Sequence, residues 1–335
     1  MCLALLLSSC SSLMEVEKSD RVSNEEFLAL NAKIEYRGKR SDDFCFKKYA
    51  DSGDAGILAW CESYVLNDLL DIYEYRPTKE IADQIWQHIS WLKASFIENG
   101  SDGIRYRKVS GWFSKKYSKN KPTVWAVHNG MIASPIARFA WLVNGHGDIA
   151  NAERGQVAFD LAVKAFDAME QDWTSDGYVY PGHDLNGKKG VPLPYNMQAA
   201  MGMLAYYLYQ ADPRDKRYVG RMTTIARMIN DAAYIDPRSG KAHLVWPYRG
   251  ASGIEDSSHA FLTMGYLVRV YELGLVLDDK RFNLILSSFL DGAVGKGSKI
   301  RANLKGEKFA SSFDSTCYRA LVIYRHHRPT FDRCK

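Results

Sequence analysis

The sequence lacks the features that would mark a membrane-spanning, nucleotide-binding or metal-binding protein. No apolar run among its 335 residues reaches the roughly 18 residues that a transmembrane helix needs. There is no glycine-rich phosphate-binding loop, and the six cysteines have neither the spacing nor the histidine neighbours of a zinc site. We therefore expect no nucleotide, no essential metal and no other cofactor.

Alternating patterns of apolar and polar residues are also scarce, so little β-structure is expected. The composition, with 46% hydrophobic and 25% charged residues, is that of an ordinary globular protein. The length by itself allows one large domain or two smaller ones.

The N-terminus is a short, leucine-rich segment that ends in small residues and cysteine. Its Leu-Ser-Ser-Cys10 sequence resembles the lipobox of bacterial lipoprotein signals, in which the cysteine is lipidated. We expect residues 1–10 to be a signal segment, 11–50 a tether and N-terminal extension, and 51–335 a single catalytic domain. This predicts an exported protein, periplasmic or attached to the outer membrane by its lipid. The missing basic n-region indicates a start inside the true signal, and a buried N-terminal helix is the alternative.

Four cysteines remain if Cys2 and Cys10 belong to the signal. An even number in an exported chain permits disulfide bonds, and four cysteines allow three connectivities. The pairings between neighbours in the sequence are Cys45–Cys61 and Cys317–Cys334. We expect these cysteines to be structural, whether paired or simply buried.

The formal net charge is +5, and much basic character lies in one strip between Gly103 and Pro122 that contains no acidic residue. Its basic residues are Arg105, Arg107, Lys108, Lys115, Lys116, Lys119 and Lys121, and its aromatic residues are Tyr106, Trp112, Phe113 and Tyr117. Such a strip attracts polyanions by long-range electrostatics, and Trp112 is a candidate for substrate binding. An acidic polysaccharide suits an exported monomer better than nucleic acid does. The alternative is a basic loop that is merely solvated.

From about Asp54 onward, apolar residues recur at helical spacing in long amphipathic segments. These segments form pairs joined by short turns, and the first helices of successive pairs begin near residues 55, 125, 195, 256 and 313. The connections between pairs are long, at roughly 16 to 25 residues, and include a small predicted hairpin around His243.

This period predicts an all-α fold. We expect an incomplete (α/α) toroid of about four helical hairpins plus a closing helix over about residues 312–327, with small β-hairpins in the long loops. A superhelical repeat protein of the tetratricopeptide type is the alternative, but its period is near 34 residues and its loops are uniformly short.

In such a toroid the long connections lie on one face, and each leads into the N-terminal end of the next inner helix. Polar side chains interrupt these apolar helices at the equivalent place each time, at residues 127–131, 194–198, 255–259 and 313–319. Helix N-termini favour anionic ligands, and Asp256, Ser257 or Ser258 can cap the third of these helices. Four polar clusters in register indicate one shared site.

Histidine, asparagine, tyrosine and arginine side chains that converge in an (α/α) toroid resemble the uronate polysaccharide lyases, including the alginate-lyase-like and glucuronan-lyase-like families. The resemblance covers about residues 50–327 and depends on architecture and residue types. It implies cleavage of an acidic polysaccharide by β-elimination. An Asn, Arg or His neutralises the uronate carboxylate, a His or Tyr removes the C5 proton, and a Tyr protonates the leaving oxygen.

By this resemblance, His259 is the base, Tyr248 or Tyr318 the acid, and Asn196 the neutralising group. The substrate-binding candidates are Asn129, which is a second neutralising candidate, Arg249 and Arg319, which would hold carboxylates, and His128, His183, Tyr195, Glu255 and Trp112. His128, His183 and His243 are also reserve candidates for the base. The structural alternatives are aromatic packing for the tyrosines, a salt bridge from Arg249 to Glu255 or Asp256, and helix capping for the asparagines.

Three other functions stay open. A toroid-type glycoside hydrolase would use paired carboxylates, and its candidates are Asp184, Glu255, Asp256 and Asp314. A uronate C5-epimerase would begin with the same proton abstraction as a lyase. A non-catalytic polysaccharide-binding lipoprotein would need the cleft but no base.

Overall fold

The computed structural model describes residues 43–75, 77–145, 152–182, 188–236, 243–250 and 253–288. The helices in these ranges are α1 (Phe44–Ser52), α2 (Ala55–Ile57, then a π-helical turn Leu58–Glu62, then Ser63–Tyr75), α3 (Lys79–Ser95), α4 (Ala126–Gly145), α5 (Ala152–Glu170), α6 (Tyr195–Ala211), α7 (Lys216–Ala232), α8 (Ser257–Glu272) and α9 (Asp279–Ser288). The strands are β1 (Ile97–Asp102), β2 (Arg107–Gly111), β3 (Phe113–Ser114), β4 (Thr123–Val124), β5 (Trp173–Thr174), β6 (Gly177–Tyr178), β7 (Tyr234–Asp236) and β8 (His243–Val245).

Short polar side chains fix where several helices begin. Asp54 precedes α2 and accepts a hydrogen bond from the backbone N–H of Gly56 at 2.8 Å. The side chains that precede α7 and α8, Asp215 and Asp256, each accept a hydrogen bond from a backbone N–H in the first turn. Thr78 accepts one in the same way at the start of α3. These side chains satisfy N–H groups that have no partner inside the helix.

The helices form two layers. The inner layer is α2, α4, α6 and α8, and each of these packs against the next. Each is followed by an outer helix, α3, α5, α7 or α9, that packs on it. Burial agrees with this arrangement, because α4 is buried around nearly its whole circumference whereas α7 buries a single stripe.

Close approach of α4 and α6 depends on Gly130. A Cβ added there would lie 2.6 Å from the carbonyl carbon of Ala200, so any side chain would push the two backbones apart. This contact brings the first turns of two inner helices together on the face where the long connections lie.

The predicted toroid is confirmed. The inner helices begin at Ala55, Ala126, Tyr195 and Ser257, each within one residue of the predicted start. Within the described residues, four two-stranded antiparallel hairpins occupy the long connections, and the one formed by β7 and β8 lies around His243 as predicted. The predicted closing helix lies outside the described residues.

A disulfide bond joins Cys45 on α1 to Cys61 in the π-helical turn of α2. This is one of the two local pairings that the sequence left open, and the other lies outside the described residues. No helix within the described ranges is both long and apolar enough to cross a membrane.

Candidate functional site

Side chains from three connected elements meet at His259, on the first turn of α8. The ring of Trp60, from the π-helical turn of α2, lies 6.3 Å from the His259 ring in an edge-to-face arrangement. Tyr248, from the connection before α8, lies 5.2 Å from the same ring. We call the region around these three rings, where the π-helical turn of α2, the connection before α8 and the first turn of α8 meet, the cleft.

His259 is paired with Asp256, the carboxylate that caps α8. One carboxylate oxygen accepts the backbone N–H of His259 at 3.1 Å, and the other contacts Nδ1 of the ring. Burial by itself lowers the pKa of His259, but the hydrogen bond and the charge of Asp256 outweigh it, so the pKa is raised from its ordinary value. The pairing with Asp256 therefore favours the protonated ring.

Glu255, adjacent to Asp256, is in the opposite environment. Its side chain is fully buried, and one oxygen accepts hydrogen bonds from the indole N–H of Trp246 and, at 2.9 Å, from the hydroxyl of Thr263. Burial outweighs these bonds and raises the pKa to about 8. Glu255 is thus a carboxyl group that keeps its proton at neutral pH, whereas the Asp256 side chain is 47% exposed and the His259 side chain 31%.

Two tyrosines and an arginine, Tyr195, Tyr248 and Arg249, lie near the start of α8. The backbone N–H of Tyr195 donates to the carbonyl of Tyr248 at 3.1 Å, which joins the start of α6 to the connection before α8. Burial, with smaller contributions from neighbouring groups, raises the pKa of Tyr248 to about 12. Tyr248 is therefore a hydrogen-bond donor at neutral pH. Arg249 hydrogen-bonds to the side chain of Tyr180.

His128 and Asn196 lie on the first turns of α4 and α6 and are almost completely buried. His128 lies next to Gly56 and Asp54 of α2. Burial lowers its pKa to about 4, although the charge of Asp54 raises it and that of Lys116 lowers it further. The imidazole is consequently neutral near pH 7.

Asn129 and Trp112, which were predicted to bind substrate, are both fully buried and hydrogen-bonded within the fold. The Asn129 side chain accepts from the backbone N–H of Trp112 and donates to the carbonyl of Ala165, both at 3.2 Å. The buried indole of Trp112 donates to the carbonyl of Leu92 at 3.0 Å and packs edge to face on Phe96. Each of these polar groups therefore has a partner within the fold.

The basic strip is less uniform than its sequence indicates. Arg105 is buried and ion-paired with Asp102, at 2.6 Å, and with Asp172, so its charge is neutralised within the fold. The exposed aromatic residues are Tyr106 and Tyr117, at 71% and 63%, rather than Trp112 and Phe113. Arg107, the lysines and these two rings form the accessible part of the strip.

A cavity of about 770 Å³ adjoins the cleft beyond Tyr195 and Arg249. Its other walls come from the turn between β5 and β6, from the connection that follows β6, and from Thr224, Arg227 and Met228 of α7.

The sequence did not identify Asp54 or Trp60 as residues near the candidate site. Asp54 could have been identified, because it is a capping aspartate at the start of α2, in the position equivalent to the other junctions. The predicted residues Tyr318, Arg319 and His183, and the hydrolase candidates Asp184 and Asp314, lie outside the described residues. Within the described ranges, no group of three His, Cys, Asp or Glu side chains could hold a metal ion.

No protein-family model matches the sequence, and no curated protein sequence matches it either. Solved structures do. A glycoside hydrolase family 76 mannosidase from Bacteroides thetaiotaomicron matches 79% of this chain and 68% of its own, with TM-score 0.50 and 14% identity. A family 76 α-mannanase from the same organism matches 79% of this chain and 66% of its own, with TM-score 0.46 and 12% identity. A family 76 α-1,6-mannanase from a Salegentibacter species matches 80% of this chain and 88% of its own, with TM-score 0.43 and 13% identity.

This chain spans about two thirds of the length of the two Bacteroides enzymes. The prediction of a polysaccharide lyase was wrong, because the matching structure with a TM-score of 0.50 is a glycoside hydrolase family 76 mannosidase, which supports the hydrolase alternative. At this level of identity the likeness establishes the fold, which is an (α/α) toroid of the kind that carbohydrate-active enzymes use.

Proposed function

We propose that the protein is a glycoside hydrolase whose acid–base pair is Glu255 and Asp256. One observation carries this proposal: two adjacent carboxyl groups at the start of α8 occupy environments that favour opposite protonation states. Glu255 is fully buried with a pKa raised to about 8, and Asp256 is half exposed beside an imidazole of raised pKa. Hydrolysis of a glycosidic bond needs one protonated and one ionised carboxyl group.

The catalytic role of each carboxyl group follows from its environment. Glu255 donates its proton to the leaving glycosidic oxygen, and the oxygen of Glu255 that has no hydrogen-bond partner among the described residues is the one that carries it. Asp256 supplies the negative charge that stabilises the cationic sugar or activates a water molecule. His259, held by Asp256, fixes the orientation of that carboxylate.

Aromatic side chains suit a sugar substrate. Trp60 and Tyr248 on either side of His259 offer apolar ring faces with polar edges. An α-mannan is the first substrate to test, because the solved structure with TM-score 0.50 is a family 76 mannosidase. The exposed lysines of the basic strip make an acidic glycan the second.

The predicted location outside the cytoplasm remains part of the proposal. The Cys45–Cys61 disulfide supports it, since such bonds persist in oxidising compartments. Lipidation at Cys10 is testable by mass spectrometry of the protein extracted from membranes.

The decisive experiment measures release of reducing ends from α-1,6-mannan, other neutral glycans and acidic glycans. We expect Glu255→Gln and Asp256→Asn each to lower the rate at least about 100-fold on the substrate that is cleaved. Asp215→Asn is the matched control, because Asp215 caps α7 in the same way but lies in the outer layer. It should lose a little stability and keep its activity.

Release of products that absorb near 235 nm without new water-derived reducing ends would contradict hydrolysis. Full activity in Asp256→Asn would remove this carboxylate from the mechanism. Glycan binding without any cleavage would favour a binding lipoprotein instead.

A further inference from the structure

The cavity beside the cleft is lined by two arginines from different elements, and the proposed hydrolysis uses neither of them. Arg227 lies on α7, and Arg249 lies in the connection before α8. Apolar side chains line the same cavity, namely Val191, Pro192, Leu193 and Met228. Two cations and an apolar wall around one space of about 770 Å³ suit a ligand that has a negative charge as well as an apolar face.

The charge of Arg227 is not used by the fold. Arg217 and Arg221, the other two arginines of α7, form ion pairs of 2.6 Å with Asp215 and Glu170. The guanidinium of Arg227 has no hydrogen-bond or ion-pair partner in the described part of the chain, and its side chain is exposed. Its planar set of N–H donors is therefore available to an oxyanion in the cavity.

The other charged groups of the cavity leave it positive. The guanidinium of Arg249 donates a hydrogen bond to the side chain of Tyr180, which holds it in place. The cavity also contains a carboxylate, Asp176, which accepts a hydrogen bond from Ser175 at 3.3 Å and makes no ion pair with a described residue. Two arginines and one aspartate give the lining a net charge of +1, which attracts an anion.

Tyr195 connects this cavity with the proposed catalytic acid. Its side chain lines the cavity, and its hydroxyl accepts a hydrogen bond from the backbone N–H of Gly250. Burial raises the pKa of Tyr195, the bond from Gly250 lowers it, and the charge of Glu255 raises it further. Because such an effect weakens with distance, the cavity begins close to the carboxyl group that would protonate the leaving oxygen.

We propose that the cavity binds an anionic substituent, a phosphate or a carboxylate, on the sugar next to the bond that is cleaved. Arg227 and Arg249 supply the positive charges, and the apolar wall packs against the sugar ring. The identification of the ligand as a sugar rests on the proposed hydrolase function, whereas the preference for an anion follows from the charges that line the cavity. Neither arginine takes part in bond breaking.

The test measures the affinity of the full chain for mannose, mannose 6-phosphate, glucuronic acid and inorganic phosphate by nuclear magnetic resonance titration, which detects weak binding. None of these probes contains a glycosidic bond between sugars, so the result does not depend on hydrolysis. Arg227→Gln removes one positive charge from the cavity, and Asp176→Asn removes its negative charge. Arg214→Gln is the matched control, because Arg214 precedes α7, has a side chain that is 88% exposed and does not line this cavity.

We expect one of the two anionic sugars to bind at least about tenfold more tightly than mannose, and the tighter of them identifies the oxyanion. Arg227→Gln should weaken that binding about tenfold, Asp176→Asn should strengthen it about threefold, and Arg214→Gln should leave it unchanged. Both changes should shrink at high salt.

The proposal is overturned if mannose binds as tightly as both anionic sugars, or if Arg227→Gln has no more effect than Arg214→Gln. Equal affinities for inorganic phosphate and mannose 6-phosphate would also overturn it, because the cavity would then recognise an ion without its sugar. Binding of an anionic sugar by a protein that cleaves no glycan would contradict only the hydrolase, since the affinities are measured without cleavage.

Discussion

Replacement of Glu255 by glutamine should stabilise the protein, and by an amount that grows as the pH rises from 4.5 towards 7. The pKa of a glutamate in an unfolded chain is near 4.5, and burial raises that of Glu255 to about 8 in the folded protein. Below pH 4.5 both states hold the proton and the group contributes no pH dependence. Between pH 4.5 and 8 the unfolded chain releases the proton while the folded protein keeps it, so the stability of the folded state falls.

The size of this loss follows from the pKa difference. Each pH unit over which only the unfolded chain is ionised costs about 1.4 kcal/mol, so the loss is about 3 kcal/mol by pH 7. Glutamine does not titrate, and its carbonyl oxygen can accept the same hydrogen bonds from Trp246 and Thr263. The variant therefore avoids the loss, and the difference in unfolding free energy between the two proteins should change by about 3 kcal/mol across this range.

Urea unfolding, followed by tryptophan fluorescence at several pH values, measures that difference. Glu98→Gln is the control for the substitution itself, because Glu98 lies on β1 with a side chain that is 58% exposed and paired with Lys164, so its replacement removes a carboxyl group at the surface instead of one in the core. If the difference between Glu255→Gln and the unaltered protein is constant from pH 4.5 to 7, Glu255 is ionised in the folded protein and cannot be the proposed acid.

Two further predictions concern the cleft and its support. Cys45→Ser removes the disulfide, which closes a loop of sequence separation 16, and should lower the unfolding free energy by about 3 kcal/mol. In urea unfolding, a reductant should remove the difference between the variant and the unaltered protein. Equal stability of the two proteins under oxidising conditions would show that the bond does not form. His259→Gln should lower the melting temperature more at pH 5.5 than at pH 9. The raised pKa of His259 gives stability that is present below about pH 6.5 and is lost as the pH rises through the folded-state pKa. A loss of melting temperature that grows with pH would contradict the pairing with Asp256.

The spacing of helices was predictable because it depends on local patterns. Starts of inner helices follow from capping aspartates and apolar periodicity, and Asp54 and Asp256 cap α2 and α8 as such patterns require. The roles of the two asparagines were not predictable. Asn129 and Asn196 have the same side chain, the same burial and equivalent junctions, but only Asn129 meets the backbone of Trp112 and Ala165. Those partners come from other elements, so one sequence does not reveal them.

The protonation states at the site were not predictable for a related reason. The sequence offers His259 as a base and Glu255 and Asp256 as hydrolase candidates, but a histidine acts as a base only if its surroundings leave it neutral. Asp256, three residues earlier, was visible in the sequence as a cap, yet its second oxygen also contacts the imidazole and favours the protonated ring. Burial is even harder to predict from sequence, because Glu255 and Asp256 are neighbours in the chain, yet Glu255 is completely buried and about half of the Asp256 side chain is exposed. An adjacent carboxyl pair with unequal burial is therefore the feature on which the proposed hydrolase mechanism depends, and the pH dependence of Glu255→Gln tests that feature directly.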